Sequence, residues 1–587
     1  MFEQKVTMLG KEFLLQSEAE PTYLELQQVG FESDVAEYEL KIEMDDGAFK
    51  LIAIKWSSHM TGILSFWSPT AKRRRAVKQW FDANTNRSSI YYGAPIMSVI
   101  EQGDVNFCTV AVSDAVNPVR MTFCVNDFEE KEQLDFAVYL LEGDYIGDSY
   151  TVRFRIDERK LPYYESIAEV TTWWKTFYPT SRCETVNGEL PLYSTWYSCH
   201  QHPTQESIEK ELEIASKLGF KSLIIDDGWS YDGNGHGDYR DCGNWQVAEE
   251  KFPDFEGFVN KLHGLGVKTA LWFPVPFVGY LSEDYQKFQG KILATSEYYQ
   301  AGILDPRYPE VRKYITDAYV KMVETYDLDG LKLDFIDSFR CEEDTVACTD
   351  RSPRYDCEKV EEGVICLLRE IRERLTACKP DFMIEFRQFY VGPAIVRDCN
   401  MLRVADCAFD LVTNRVGIAD LRLMNYDLAV HADMLMWSKD ESITNCAKML
   451  LHILFGVPQI SVSLFESSEE QKALIHKYLD YWYTNRKVLL HGTFKAHNPE
   501  ACYSLLSSED DEKRIAVAYS RNDYQFDGKA TDIFNATAYD YLYIDNVSEK
   551  NAVVTSYDCM GGCVENKEMG QGVYKVTVPE GGYVNIS

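Results

Sequence analysis

The chain has 587 residues, a hydrophobic fraction of 45%, and 60 basic against 93 acidic side chains, for a formal net charge of −33. That length implies several domains around at least one large core. The acidic balance argues against nucleic-acid binding, which needs clustered Lys and Arg, and the one basic run, Lys72 to Arg75 in AKRRRAVK, reads as a solvated surface.

The N-terminus, MFEQKVTMLGKEFLL, has early acidic residues and no continuous apolar segment of a secretory signal. No apolar run reaches the roughly 18 residues of a membrane span. Sixteen Cys without a signal point to reduced thiols and a cytoplasmic location. Cys341, Cys348 and Cys357 share a loop, and Cys559 and Cys563 flank Met-Gly-Gly. Neither group has zinc spacing, so free thiols and no metal are expected.

Residues 1–160 read as a β-sandwich. YELKIEMDDGAFKLIAIKW alternates apolar and polar around Asp46-Gly47, a hairpin signal. VNFCTVAVSD, RMTFCVND, DFAVYLLEGD and YTVRFRID add further short strands. SIAEVTTWWKTFYP predicts a helical linker within 161–190. From 191 to 490 the pattern becomes strand then helix: LYSTWYS, SLIIDDGW, VKTALWFPV, GLKLDFI, FMIEFRQF, MLRVADC, AVHADMLMW and PQISVSL supply eight strands. The first helix carries Ile208, Leu212, Ala215 and Leu218 at helical spacing, with Gly219 as its stop. Such alternation is the signature of a (β/α)8 TIM barrel. An open doubly wound sheet is the alternative, but no GxGxxG follows the first strand. Residues 491–587 are strand-rich again, for a small C-terminal antiparallel β-domain.

A barrel of this kind places its active site at the C-terminal ends of its strands. Strand one delivers Trp196 and Tyr197 there, strand two Asp226, Asp227 and Trp229, and strand three Trp272. Strand four brings Lys332 and Asp334, strand five Glu385 and Arg387, strand six Arg403 and Asp406, strand seven His431 and Asp433. Strand eight offers only Ser461 and Ser463. Lys332 lies two residues before Asp334 and so on the same side of a strand. A carboxylate beside an ammonium stays ionised, as a nucleophile requires. The ring is rich in carboxylates and Trp and poor in His. It suits a sugar better than a metal-assisted or phosphate-binding site, and glycoside hydrolysis needs two flanking carboxyls.

STWYS, LIIDDGW, ALWF, LKLDF and RVAD, in that order, resemble the clan of retaining α-galactosidases, and within it glycoside hydrolase family 36, the melibiases. The resemblance spans nearly the whole chain, since that family also carries a β-sandwich, a barrel and a C-terminal β-domain. It implies a retaining exo-acting α-galactosidase without cofactor, acting on an oligosaccharide or glycoside, with a tendency to homo-oligomers; charge and hydropathy already argue against a nucleic-acid or membrane partner. It also implies roles: Asp334 as nucleophile, Asp406 as acid/base with a raised pKa, and Asp226 and Asp227 on galactose hydroxyls. Lys332 and Arg403 would contact ring hydroxyls, and His431 would stand near the mouth. Trp196, Trp229 and Trp272 are candidate stacking surfaces. Glu385 and Arg387 either touch substrate or pair with each other. The chain departs from the family where strand five reads EFRQFYVGP in place of a Cys- and Gly-rich loop, where KLDFID lacks the usual Asn and Arg, and where WFPVP has no acid. The alternatives are an α-N-acetylgalactosaminidase or galactosyl transferase of the same clan, a non-catalytic carbohydrate-binding protein, and a metal-dependent barrel enzyme.

Overall fold

The computed structural model describes residues 1–587 except 45–50, 79–81, 127–132, 143–146, 180–185, 231–237, 341–344, 348–355, 425 and 522. Of 345–347 only the backbone is described. Cys341, Cys348 and the Asp46-Gly47 turn therefore lie outside the described residues.

The N-terminal sandwich is two six-stranded sheets. Its core is aromatic: Tyr38 and Phe154 stack at 4.9 Å, and Trp56 and Phe136 at 5.2 Å. Much of the 13% aromatic content is thus structural. The described strands on either side of Asp46-Gly47 do not pair with each other as a hairpin would require. Strand Val35–Glu43 pairs with Tyr23–Glu32 and Ser149–Asp157, whereas Ile52–His59 pairs with Lys11–Ser17 and Gln133–Leu140 in the opposite sheet. Alternation fixes which face of a strand is buried but not its partner. Helix Tyr163–Trp174 then links sandwich to barrel.

All eight expected barrel strands form a parallel sheet, in the spatial order seven, six, five, four, three, two, one, eight. They are Leu192–Ser194, Ser222–Ile225, Lys268–Pro274, Gly330–Asp334, Met383–Arg387, Met401–Arg403, Ala429–His431 and Gln459–Ile460. Two isolated parallel bridges, His431 to Val457 and Leu435 to Ile460, link strands seven and eight. Helix Gln205–Leu218 starts with a capping box from Thr204 and Ser207 and ends at Gly219, whose φ of +120° suits glycine. Inside the barrel Leu192, Ile224, Ala270, Met383 and Met401 form an apolar floor. One pleat further along their strands, the same face carries Trp272, Lys332, Glu385 and Arg403. A second pleat brings up Asp334 and Arg387. Cross-strand register sets Lys332 beside both Trp272 and Glu385, and Arg387 beside Arg403.

The C-terminal domain holds a seven-stranded and a three-stranded sheet. It is not wholly antiparallel: Lys513–Ala518 with Ala530–Asn535, and Asp523–Phe526 with Tyr541–Asn546, pair in parallel. No helix among the described residues is long and apolar enough to cross a membrane.

The basic run is not a solvated surface throughout. Arg75 is wholly buried and grips Asp420 of barrel helix Leu411–Met424 with Nη2, at 2.7 and 2.6 Å from the two carboxylate oxygens. Trp67 Nε1, 2.9 Å away, and Tyr503 OH, at 2.5 Å, also donate to Asp420. Arg75 itself donates to Tyr503. Sandwich, barrel and C-terminal domain meet at this one ion pair. Removing one partner of such a pair leaves the other charged in a low-dielectric site, at about 3–5 kcal/mol. Asp420→Asn is therefore expected to lower the thermal unfolding midpoint markedly. The apolar double replacement Arg75→Met with Asp420→Leu should recover much of that loss, as differential scanning calorimetry would show.

Candidate active site

Asp334 ends strand four and is 7% exposed. Its Oδ1 accepts from Arg387 Nε at 2.5 Å and from the Phe335 amide at 2.7 Å; its Oδ2 accepts from Trp272 Nε1 at 3.0 Å. Burial would push this carboxyl up, but Arg387, then Lys332 and the Trp272 bond, hold it well below the usual range. The main partner is therefore not Lys332, whose ammonium instead donates to Asp226 at 2.6 Å. Nor do Arg387 and Glu385 pair with each other. Arg387 lies 5.7 and 5.4 Å from the ring centroids of Phe335 and Tyr390 and reaches Asp337 at 3.3 Å. The strand-five segment that departs from the resemblance thus supplies the cation facing Asp334.

Asp226 and Asp227 are 2% and 1% exposed. Besides Lys332 on Asp226, Gln201 Nε2 donates to Asp227 at 2.8 Å. The Asp226 amide is held by Thr195 Oγ1 at 2.9 Å, and the Asp227 amide by Asp226 Oδ1 at 3.0 Å. Gly228 follows with φ +96°, and a Cβ there would lie 2.3 Å from the Gln201 carbonyl oxygen. The turn exists because this residue has no side chain.

Across the mouth, Arg403 of strand six is wholly buried. Its Nη1 donates to Asp406 Oδ1 at 2.8 Å and to Asp433 Oδ1 at 2.7 Å, and its Nε is 3.5 Å from Glu385 Oε1. In the structure Arg403 has no exposed surface and anchors carboxylates. The Asp406 side chain is 54% exposed in the mouth. Burial by the surrounding walls pushes its carboxyl up, but Arg403 and then Lys332 outweigh that and leave it below its ordinary value. The raised value expected of Asp406 is thus reversed. Burial pushes up Glu385, 1% exposed, to about 7, and it raises Asp433 as well; Gln459 Nε2 donates to Glu385 at 2.9 Å.

The remaining candidates are structural in their contacts. Trp229 is wholly buried and donates to the Trp272 carbonyl at 2.8 Å. Trp272, 2% exposed, offers its indole to Asp334 and stacks on Tyr239 at 5.9 Å. Neither presents an open face. Trp196 is half-buried, edge-on to His200. His431 is wholly buried, and burial lowers its pKa to about 4. Its Nε2 meets the Gly188 carbonyl at 2.6 Å and its Nδ1 the Gln459 amide at 2.9 Å, so a neutral ring spends both nitrogens on protein. Ser461 donates to the Ser194 carbonyl at 2.7 Å and stitches strand eight to strand one. Sequence reasoning missed Gln201 and Tyr239, which no local pattern marks. It saw Asp433 and Tyr197 as mouth residues, but not that Tyr197 OH donates to Asp433 at 2.8 Å.

Gly228→Ala must displace Gln201 or the turn. It is expected to cost roughly 1–3 kcal/mol as stored backbone strain and to lower the unfolding midpoint.

Residues 175–386 match the family model Melibiase. An α-galactosidase of Lactobacillus acidophilus is 26% identical over 153 residues, 24% of this chain and 20% of that protein. One of Pediococcus pentosaceus is 27% identical over 160 residues, 26% and 22% respectively. The matched stretch thus spans only about a fifth of each of these relatives. Among solved structures, an α-galactosidase from Lactobacillus brevis superposes with a TM-score of 0.64 at 14% identity, covering 98% of this chain and 81% of that one. A variant of the Geobacillus stearothermophilus α-galactosidase in complex with raffinose gives 0.63 at 13%, covering 99% and 81%. The family model over the first half of the barrel and these relatives liken this chain to the melibiases, and its architecture is shared with solved α-galactosidases of glycoside hydrolase family 36.

Proposed function

We propose that this chain is a retaining, exo-acting α-galactosidase that removes terminal α-linked galactose from oligosaccharides or other glycosides. The observation that carries the reading is Asp334: a buried carboxylate kept ionised by Arg387 at the C-terminal end of strand four, with a second carboxyl, Asp406, in the loop after strand six. The likeness to the melibiases and the raffinose complex of a structural neighbour support the sugar.

A carboxylate has about four lone-pair sites. Oδ1 of Asp334 already accepts two donors, whereas Oδ2 accepts one. Oδ2 therefore keeps the larger share of free electron pairs and is the attacking atom in this scheme. It forms a bond to C1 as the glycosidic bond breaks, and Asp406 gives its proton to the departing oxygen. Water then attacks C1, Asp406 takes a proton from it, and the C1–Oδ2 electron pair returns to Asp334. Asp226 and Asp227 accept hydroxyl hydrogens from the ring, and Lys332 donates. In the resting site Asp406 must hold its proton against the pull of Arg403.

Asp334→Asn is expected to lower kcat/KM on p-nitrophenyl α-galactoside by roughly 10³-fold or more, over about 4 kcal/mol of barrier. Near-normal turnover, or an inverted first product by NMR, would refute the scheme. Arg387→Met addresses pH. Asp334 works ionised, so activity falls as pH drops through its pKa. Arg387 holds that pKa low, and without it the acid limb of kcat/KM should move to higher pH by about one unit or more.

A further inference from the structure

Arg403 Nη1 is shared. It donates at 2.8 Å to Asp406, which water reaches, and at 2.7 Å to Asp433, which is wholly buried. Asp433 is a built anion site. Its Oδ2 accepts from Tyr197 OH at 2.8 Å and from the Cys407 amide at 2.7 Å. Its backbone is clasped on both sides by Asn414, which donates to the Asp433 carbonyl at 2.8 Å and accepts its amide at 3.1 Å. The Cys407 amide belongs to the residue after Asp406, so Asp433 fixes the acid/base loop as well as Arg403.

We propose that Asp433 is a positioning residue that competes with Asp406 for Arg403 and so lets Asp406 carry its catalytic proton. The inference rests on Asp406 being the acid/base. A guanidinium facing a single carboxylate would hold that carboxylate ionised. Divided between two, it has a second acceptor to turn to whenever Asp406 is neutral. As Asp406 passes its proton to the leaving oxygen it becomes an anion, and Arg403 meets it. When water returns a proton to Asp406, the bond from Arg403 to Asp433 remains and holds the guanidinium in place. Nothing is consumed: Nη1 has two N–H groups, so the bond to Asp433 persists while the bond to Asp406 tightens and loosens in each half-reaction.

The other charged and titratable groups around this pair are Asp334 and Lys332 from strand four, Glu385 from strand five, Tyr197 beyond strand one, and Cys407 and Asp410 on the acid/base loop. Burial raises the Asp433 carboxyl while Asp406 lies low.

The test compares Asp433→Asn with the parent enzyme on p-nitrophenyl α-galactoside, whose leaving group needs little protonation, and on methyl α-galactoside, whose leaving group needs much. Without the competing carboxylate Arg403 bears on Asp406 alone. The basic limb of kcat/KM should move about one unit to lower pH. Turnover of the methyl glycoside should fall about 100-fold, against less than about tenfold for the aryl glycoside. Tyr197→Phe, at the rim, removes one donor to Asp433 without emptying a buried site. It should shift the same limb in the same direction by a smaller amount. Equal losses on both substrates with an unmoved limb in both variants would overturn the inference and leave the α-galactosidase reading standing. A parent enzyme that turns over neither glycoside would overturn both.

Discussion

Carboxylates outnumber cations around the barrel mouth, and most are buried. Asp226, Asp227, Asp334, Asp433 and Glu385 are each under 10% exposed, and Asp406 joins them at the rim. Among the described residues, Lys332, Arg387 and Arg403 stand against them. At an effective dielectric of about 20, a unit-charge contact near 4 Å is worth roughly 4 kcal/mol, enough to decide which carboxyls ionise. Each cation therefore assigns a state. Arg387 commits Asp334 to the anion, Lys332 serves Asp226, and Arg403 is divided. Glu385 has no close charged hydrogen bond and is left nearest to protonation. Two carboxyls doing opposite work in one mouth follow from where three positive charges sit.

The barrel strands were legible because each is a short apolar run whose outlet carries a distinctive cluster, as in LIIDDGW and LKLDF. The carboxylates were legible for the same reason, since strand ends are fixed by local pattern. Their partners were not. Lys332 sits two residues from Asp334, yet it bonds to Asp226, 106 positions away; the cation that grips Asp334 is Arg387, 53 positions away. Neighbourhood along a strand gives the side of a sheet, whereas pairing inside a barrel depends on stagger between strands. The tryptophans misled by type. Trp229 and Trp272 occupy the outlets where a sugar platform would sit, but their indole N–H groups are used inside the wall.

The basic run misled through composition. AKRRRAVK in a chain of charge −33 looks like a soluble face, and Arg74 is indeed exposed. Its neighbour Arg75 finds Asp420 by a contact 345 positions long. No periodicity announces such a pair.

The sandwich also touches the catalytic loops. Gly93 donates to the Phe389 carbonyl at 2.6 Å, and Lys72 lies 4.6 Å above the Phe389 ring, two residues beyond Arg387. Helix Leu411–Met424 carries Asp420 at the three-domain junction and Asn414 against Asp433. The scaffold of the mouth thus runs through the flanking domains as well as the barrel. In engineering terms the barrel is not a portable module. A chimera that transplants it must bring Arg75 and Tyr503 with it, or rebuild the junction around Asp420 from new parts.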